Sequence, residues 1–483
     1  MFAPVVGGRH SSSLLCYGEN TDDVLRMRKL VLVMVGLPAR GKSYITLKLC
    51  RYLRWLGFQT RSFNAGDYRR EVLGSVDNEY FDPSNPASCE KRREMTSLAL
   101  NDLLLWLRTN QGYVGILDCS NTTRERRQWI LDQCAAEHEV QVVFIESQIR
   151  NSGLLQMNYR LKLLNEDYKG RDIIEAVFEF MERVARDERA YEEISDAEDH
   201  LRYIKLYDLG AKMILNRCAG YLLSQISTCL NNMHILPRKI LLTRHGQSQD
   251  NARGVLGGDS DLTTDGQQYA QRLCQWVLHQ NFEKLLVWTS CLQRTMQTGD
   301  PLRKAGVSIH PTPLLNEIAG GSCDSITEEE LKQNHPEIYK ARMADKLAYR
   351  YPGGGESYLD VIERVKPLCL ELERLKTPVL VICHKAVLRV LYAYFTDLDL
   401  DVMVNHGVPL HCALQLEPGP YDCKVSVIKL DDFSVDPTTV TPELLTVVSP
   451  VRSDSETGRP GALAIGATDG VEGSVTPLHA LPG

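Results

Sequence analysis

The stretch KLVLVMVGLPARGKSYITLKLCRYLRWLG, Lys29 to Gly57, decides the fold class. Leu30 to Val35 is an unbroken apolar run of strand length, and apolar residues recur at helical spacing after Ser43 until Gly57 stops them. Between the two lies GLPARGKS, which fits G-x-x-x-x-G-K-[ST]. Such a loop, set between a strand and a helix start, aims backbone N–H groups and the helix N-terminus at phosphate oxygens. Lys42 then neutralises the β- and γ-phosphates, and the Ser43 hydroxyl is a ligand for Mg2+. Gly36, Leu37, Pro38, Ala39, Arg40, Gly41, Lys42 and Ser43 are therefore nucleotide-binding candidates. The alternative is a glycine-rich turn that holds nothing.

Outward from this stretch the alternation continues. QTRSFN, YVGILD, VQVVFIES and YIKLYD read as strands separated by helical patterns, which predicts a largely parallel sheet covered on both faces. A second series begins at RKILLTRHG and runs through KLLVWTS and PVLVICH, with helices such as TTDGQQYAQRLCQWVLHQ between. The join falls at NNMHILPRK, punctuated by Pro237. The expected division is a flexible extension at 1–27, a P-loop domain at 28–236, a second α/β domain at 237–431 and a disordered tail at 432–483. That tail is rich in Ser, Gly, Pro and Thr, with too few large apolar residues to offset the entropy of ordering. Ser453 and Ser455 within it are accessible phosphorylation candidates.

A chain of 483 residues has the length for two or three domains, and 43% hydrophobic with 24% charged residues is an ordinary globular balance. A formal net charge of −7 gives no reason to expect nucleic acid as a partner. The longest apolar runs, LVLVMVG and VQVVFI, fall far short of a membrane span. The first residues lack a basic start followed by an apolar core, so no secretory signal is expected. The 14 Cys are scattered without CxxC pairs or His/Cys ligand sets, which fits reduced, buried thiols better than a disulfide framework.

An acid closing a neighbouring strand is the usual second partner of a P-loop metal, and Asp118 closes YVGILD. Its alternative uses are capping a helix or bonding Arg124. Paired Arg occur in DYRRE (Arg69, Arg70), EKRRE (Arg92, Arg93) and TRERR (Arg124 to Arg127). One such cluster is commonly a solvated face. Three in one P-loop domain point to a phosphorylated small-molecule acceptor.

In the second half, ILLTRHGQSQDN ends an apolar run abruptly in Arg244, His245 and Gly246. Ligands of open α/β sheets bind beyond such strand ends. Alone, His245 could be a base, a metal ligand, a nucleophile or a turn residue. ICHKAVLR adds His384 after another strand, TSCLQRTMQT adds Arg294 and LLNEIAGG adds Glu317. The set suits phosphoryl transfer to an imidazole, with neutral His245 as nucleophile. Arg244, Arg294 and His384 spread across the equatorial oxygens. Glu317 protonates the leaving alkoxide and then activates water. Gly246 allows close backbone approach. A metal reading of the two His lacks a carboxylate or third His at ligand-like spacing.

With these motifs assembled, the chain resembles the bifunctional 6-phosphofructo-2-kinase/fructose-2,6-bisphosphatase family from about Arg28 to Asp431. GLPARGKSY, NAGDYRRE, SNTTRERR, LTRHGQS, WTSCLQRTMQT, LNEIAGG, YRYP and ICHKAVLR are similar to its signatures, in its order. RHG alone reaches only a broad phosphatase and mutase superfamily, and the P-loop domain ahead of it narrows the choice. The resemblance implies a P-loop kinase domain with a mostly parallel sheet, followed by a histidine-phosphatase, phosphoglycerate-mutase-like α/β domain. It implies transfer of the ATP γ-phosphoryl to the 2-hydroxyl of fructose 6-phosphate, and hydrolysis of fructose 2,6-bisphosphate through phospho-His245. Mg2+ would sit at Ser43 and Asp118. The resemblance adds Tyr44 to the nucleotide loop and Lys162 as an active-site lysine. Implied acceptor contacts are Arg69, Arg70, Arg93, Thr122, Arg124 and Arg183. Implied bisphosphate contacts are Arg244, Asn251, Gly257, Arg294, Arg350, Tyr358, Lys385 and Arg389. A cytoplasmic homodimer that regulates glycolysis, with neither nucleic acid nor membrane as partner, is implied as well.

The chain also departs from that pattern. Asp67 stands where Gln is usual, Asp187 where a sugar-contacting Tyr is usual, and Gln247 where Glu is usual. YPGGGESY lacks the Lys that normally follows YP, Glu328 replaces a substrate-contacting Tyr, and Lys385 replaces a Gln. The expectation is an intact phosphatase centre with an altered 6-phosphate pocket, where Lys385 partly replaces the lost cation. Two other readings remain: an enzyme of shifted sugar-phosphate specificity, and a non-catalytic sensor of nucleotide and sugar phosphate.

Overall fold

The computed structural model describes residues 29–430 and 439–440, apart from positions 75, 77, 83, 110, 111, 138, 139 and 164–172. The expected extension at 1–27, together with Ser453 and Ser455, lies outside the described residues.

The first sheet contains β1 (Lys29–Val35), β2 (Thr60–Asn64), β3 (Val114–Asp118), β4 (Val140–Gln148), β5 (Tyr203–Tyr207) and β6 (Lys212–Asn216). Their order is β2-β3-β1-β4-β5-β6, parallel throughout except for the antiparallel pair β5–β6. Leu30 to Val35 and all of β3 are buried, which is why both read as continuous apolar runs. The chain leaves β1 toward one side for β2 and β3, then returns to its other side for β4. That reversal puts a crevice at the C-terminal end of β1, where the glycine loop lies. The helices here are α1 (Lys42–Trp55), α2 (Ala65–Leu73), α3 (Pro86–Arg108) and α4 (Arg124–Ala135). They are followed by α5 (Ser152–Leu163), α6 (Ile173–Arg189) and α7 (Tyr221–Asn231).

The second sheet contains β7 (Ile240–Arg244), β8 (Leu286–Thr289), β9 (Ile309–Pro311), β10 (Val379–Cys383), β11 (Cys412–Pro418), β12 (Cys423–Lys429) and β13 (Thr439–Val440). Its order is β13-β12-β11-β7-β10-β8-β9. The central strands β7, β10, β8 and β9 are parallel, while β11 to β13 extend the sheet in antiparallel fashion. Arg244 pairs with Cys383 across β7 and β10, so His245 and His384 leave neighbouring strands side by side. The helices are α8 (Gln249–Arg253), α9 (Thr264–His279), α10 (Gln293–Lys304) and α11 (Glu328–Asn334). After them come α12 (Pro336–Ala344), α13 (Tyr358–Arg374), α14 (Lys385–Thr396) and α15 (Leu400–Met403).

Of the tail expected from 432 onward, Thr439 and Val440 pair with β12, and the rest lies outside the described residues. The join between the halves is no gap. Leu49, Tyr52 and Leu53 of α1, Ile226 and Leu230 of α7, and Val365, Cys369 and Leu372 of α13 belong to one continuous apolar cluster. Among the described residues, no helix is long and apolar enough to cross a membrane.

Candidate active sites

Gly36 ends β1 at φ +138°, and a Cβ there would lie 2.6 Å from the Ser147 carbonyl oxygen, so only glycine lets the loop turn so close to β4. Lys42 opens α1 with its Nζ 2.7 Å from the Leu37 carbonyl oxygen, bent back over the loop. Burial lowers its pKa to about 8, opposed by the Asp118 charge. Asn64 Nδ2 donates to Asp118 Oδ2 at 2.8 Å. Burial raises the Asp118 pKa, against the hydrogen bond from Ser43 and the charges of Lys42 and Lys162. The structure thus gathers Lys42, Ser43, Asp118 and Lys162 at one point. Arg40 behaves differently from the rest of its loop, because its guanidinium turns to Pro38 O at 3.3 Å and to Glu188 at 3.2 Å. Asn158 Nδ2 holds the Ala39 carbonyl at 3.0 Å. Tyr44 lines the cavity, but its hydroxyl donates to His234 O at 2.6 Å.

Beside the loop opens a cavity of about 900 Å³. Arg69, Arg70, Arg93, Thr122 and Arg183 line it as expected, and so does Arg92. Arg183 lies flat over Phe81, with 3.5 Å from its guanidinium carbon to the ring centroid. Arg124 is a correction. Its Nη2 donates to Ser195 Oγ at 3.1 Å, and its Nε lies 3.8 Å from Glu198, outside the cavity lining. α4 starts at Arg124, and two residues on, at roughly 100° of turn per residue, Arg126 faces inward instead. Arg126 stacks on Trp129 at 4.9 Å, while Arg127 is fully buried against Glu198. Asp67, paired with Arg70, and Asp187, which feels Arg183, Arg92 and Lys42, line this basic cavity together with Glu90, Asp118 and Glu125. Tyr421, on the turn between β11 and β12, also lines it, and sequence reasoning missed this residue from the other half.

The second centre is buried. His245 is 2% exposed, and its ring centroid lies 5.0 Å from that of His384. Its Nδ1 lies 2.7 Å from Gly246 O, and its Nε2 lies 3.1 Å from Arg294 Nε. A Cβ on Gly246 would collide with the Gly266 carbonyl, which explains the glycine of RHG. Burial and Arg294 together lower the His245 pKa to about 3, and His384 is held well below its usual value by the same causes. Ser290 Oγ lies 2.7 Å from His384 Nε2, a partner the sequence did not announce. Glu317 accepts backbone N–H groups from Ile318 at 3.0 Å, Lys385 at 3.0 Å and Ala386 at 3.1 Å, which places it at the α14 N-terminus. Its charge acts on both Arg244 and Arg294. Arg244 Nη1 donates to Val408 O at 3.0 Å, and Arg294 Nη1 to Gly258 O at 2.6 Å, next to Gly257. Asn251 is partly used by the fold, since its Oδ1 accepts from Ser248 N at 3.2 Å in the cap of α8.

The wider pocket changes one expectation. Arg350 points to solvent and pairs with Asp360, so YRYP does not carry its Arg inward. The cations that face Tyr358 are Arg389, whose Nη1 donates to the Tyr358 hydroxyl at 2.8 Å, and Arg342 of α12. Arg342 also pairs with Glu328 at 3.5 Å. Lys346 stands near both Arg342 and Arg389, and its Nζ donates to Asn405 Oδ1 at 2.8 Å. Lys346, a residue sequence reasoning passed over, is thus a further cation beside Arg342 and Arg389. Lys385 joins the same group, its pKa lowered to about 8 by burial, Arg389 and Arg244.

A family model described as 6-phosphofructo-2-kinase matches residues 19–237, and one described as histidine phosphatase superfamily (branch 1) matches residues 240–431. The Homo sapiens protein 6-phosphofructo-2-kinase/fructose-2,6-bisphosphatase 1 is 42% identical over 408 residues, covering 84% of this chain and 85% of that one. The chain belongs to this bifunctional family. The Gallus gallus 6-phosphofructo-2-kinase/fructose-2,6-bisphosphatase is 41% identical over 409 residues, 84% of this chain and 86% of its own. Among solved structures, the α-ribazole phosphatase from Shigella flexneri matches at 26% identity, covering 39% of this chain and 95% of that one, with a TM-score of 0.36. The kinase match begins inside the expected 1–27 extension, and the two matches meet within three residues of Pro237.

Proposed function

We propose that this chain both makes and breaks fructose 2,6-bisphosphate, using ATP and fructose 6-phosphate in the 28–236 half and hydrolysing the 2-phosphate in the 237–431 half. One observation carries the reading: a single chain holds a phosphate loop opening on an arginine-lined cavity and, separately, a buried neutral histidine caged by arginines.

In the kinase half, Lys42 and the loop N–H groups hold the ATP phosphates. Arg69, Arg92, Arg93, Arg126 and Arg183 anchor the acceptor's 6-phosphate, and Lys162 adds charge at the transferring group. The Ser43 hydroxyl and Asp118 carboxylate lie within hydrogen-bond reach of each other, a pair of hard oxygen donors that fits Mg2+. When bound, the ion neutralises phosphate charge. In the phosphatase half, Nδ1–H of His245 donates to Gly246 O, which leaves the Nε2 lone pair to attack phosphorus. The P–O bond to C2 breaks, and the alkoxide takes a proton from Glu317. The Glu317 carboxylate then removes a proton from water, whose oxygen displaces the imidazole and releases phosphate.

We place the protein in the cytoplasm, where the described cysteines, all free thiols, stay reduced. A homodimer is supported by β6, an edge strand with Leu215 48% exposed. Asp67 and Asp187 inside the acceptor cavity favour, as a second reading, a shifted acceptor preference. One preparation should transfer label from γ-labelled ATP to fructose 6-phosphate and release phosphate from fructose 2,6-bisphosphate. Binding of both ligands without turnover in either direction would favour the sensor reading.

A further inference from the structure

The helix that begins at the phosphate loop ends inside the other half of the molecule. Lys42 and Ser43 occupy the first turn of α1, while Trp55 Nε1, at its last residue, donates to Val390 O of α14 at 3.0 Å. Arg51 Nη1 donates to Phe395 O at 3.2 Å, and Arg54 pairs with Asp397 at 2.7 Å. At the centre of this contact stands Glu373, in the last turn of α13 and 2% exposed. Lys48 Nζ lies 3.0 and 3.1 Å from its two oxygens, Arg51 Nη2 lies at 2.5 Å and Arg238 Nη2 at 2.6 Å. The Tyr394 hydroxyl donates to it at 3.2 Å. Removing a carboxylate and three cations from water is costly, and only tight mutual pairing offsets that cost. Two of the three cations belong to the phosphate-loop helix. The third, Arg238, belongs to the join and carries no part of the loop.

We infer that Glu373, which lies in the phosphatase half and belongs to neither phosphate centre, is a positioning residue for the kinase site. It fixes α1 along its axis and so sets where Gly36 to Ser43 meet the nucleotide phosphates. The lever is short, since six residues of helix from Lys42 to Lys48 span about 9 Å. Catalysis is steeply sensitive to such placement, and a shift of about 1 Å at the reacting groups costs on the order of a hundredfold in rate. The inference rests on the kinase reading above, and direct ATP binding separates the two.

The test compares Lys48→Met with Arg238→Met. Each removes one cation from the same carboxylate and leaves it two, but only Lys48 lies on α1. ATP affinity by calorimetry, kinase kcat and KM, phosphatase kcat and KM, and Tm are measured on the full chain. Lys48→Met should weaken ATP binding or kinase kcat/KM by about tenfold, with phosphatase constants within about twofold. Lys48→Arg should restore most of the loss. Arg238→Met should lower Tm comparably yet leave ATP binding within about twofold. Equal loss of ATP binding in the two methionine variants, or kinase loss that follows Tm across the set, would overturn the inference. A wild type that binds ATP but transfers no phosphoryl group would instead count against the kinase reading, with the ATP-binding comparison still deciding the role of Glu373.

Discussion

Arg294 aims its Nε–H at Nε2 of His245 across 3.1 Å, and that contact settles which ring nitrogen holds the lone pair. Nε2 accepts, so Nδ1 carries the proton and donates it to Gly246 O at 2.7 Å. The same Nε–H faces His384 Nδ1 at 3.3 Å, which leaves His384 Nε2–H for Ser290 Oγ at 2.7 Å. One guanidinium therefore orients both imidazoles and, with burial, keeps both uncharged. The nucleophile is set before substrate arrives.

That neutrality has a cost in acid. An unfolded histidine ionises near 6.5, while His245 in the fold does so only near 3 and His384 also far below 6.5. Below about 6.5 the unfolded chain therefore binds more protons than the native one, and stability falls as pH drops toward 3, by up to about 1.4 kcal/mol per pH unit for each histidine. Above 6.5 the term vanishes. Denaturant titrations between about pH 7 and pH 5 should show this decline, and His245→Gln should flatten it. An equal slope in that variant would count against a buried neutral His245.

The second prediction concerns the 6-phosphate pocket. Lys346 and Lys385 both crowd Arg389, and we expect Lys346 to stand in for the missing glycine-loop cation. Lys346→Ala should raise KM for fructose 2,6-bisphosphate by about tenfold to a hundredfold, the worth of a charge-assisted contact. Lys385→Gln should raise it less, and neither should matter much for a substrate lacking the 6-phosphate. A larger effect at Lys385 would favour the expectation drawn from the sequence instead.

A third prediction follows from Asp187, whose pKa is raised by burial in the acceptor cavity, against the charges of Arg183, Arg92 and Lys42. Its carboxylate competes with substrate phosphate for those cations. Asp187→Asn should lower kinase KM for fructose 6-phosphate by about tenfold. A raised KM would show instead that Asp187 holds the arginines in place for substrate.

Much of this was legible because buried parallel strands write themselves as apolar runs, and their chemistry follows directly at the strand ends. RHG and ICH were readable for that reason. Helix facing was not, since one or two residues of rotation separate Arg124 from Arg126. Arg350 and Lys346 both lie between α12 and α13, where the sequence pattern does not say which side chain turns inward. Tyr421 and Glu373 had no local signature at all: Lys48 and Glu373 are 325 residues apart in sequence. Contacts made across the join are visible only once both halves have folded.

The fourth prediction is the covalent intermediate. Rapid quenching with 2-labelled fructose 2,6-bisphosphate should trap label on His245, labile to acid and stable to base, as a phosphoramidate is. His245→Ala should abolish it. Acid-stable label would point to a phosphoester or an acyl route and away from the imidazole.

The most direct measurement of the central claim is to assay both reactions in Lys42→Ala and in His245→Ala, each checked for native folding. Two separate phosphate centres in one chain require independent failure. Lys42→Ala should lose phosphoryl transfer to fructose 6-phosphate and keep hydrolysis of fructose 2,6-bisphosphate, while His245→Ala should do the reverse. A folded protein in which either single change silenced both activities would contradict the account.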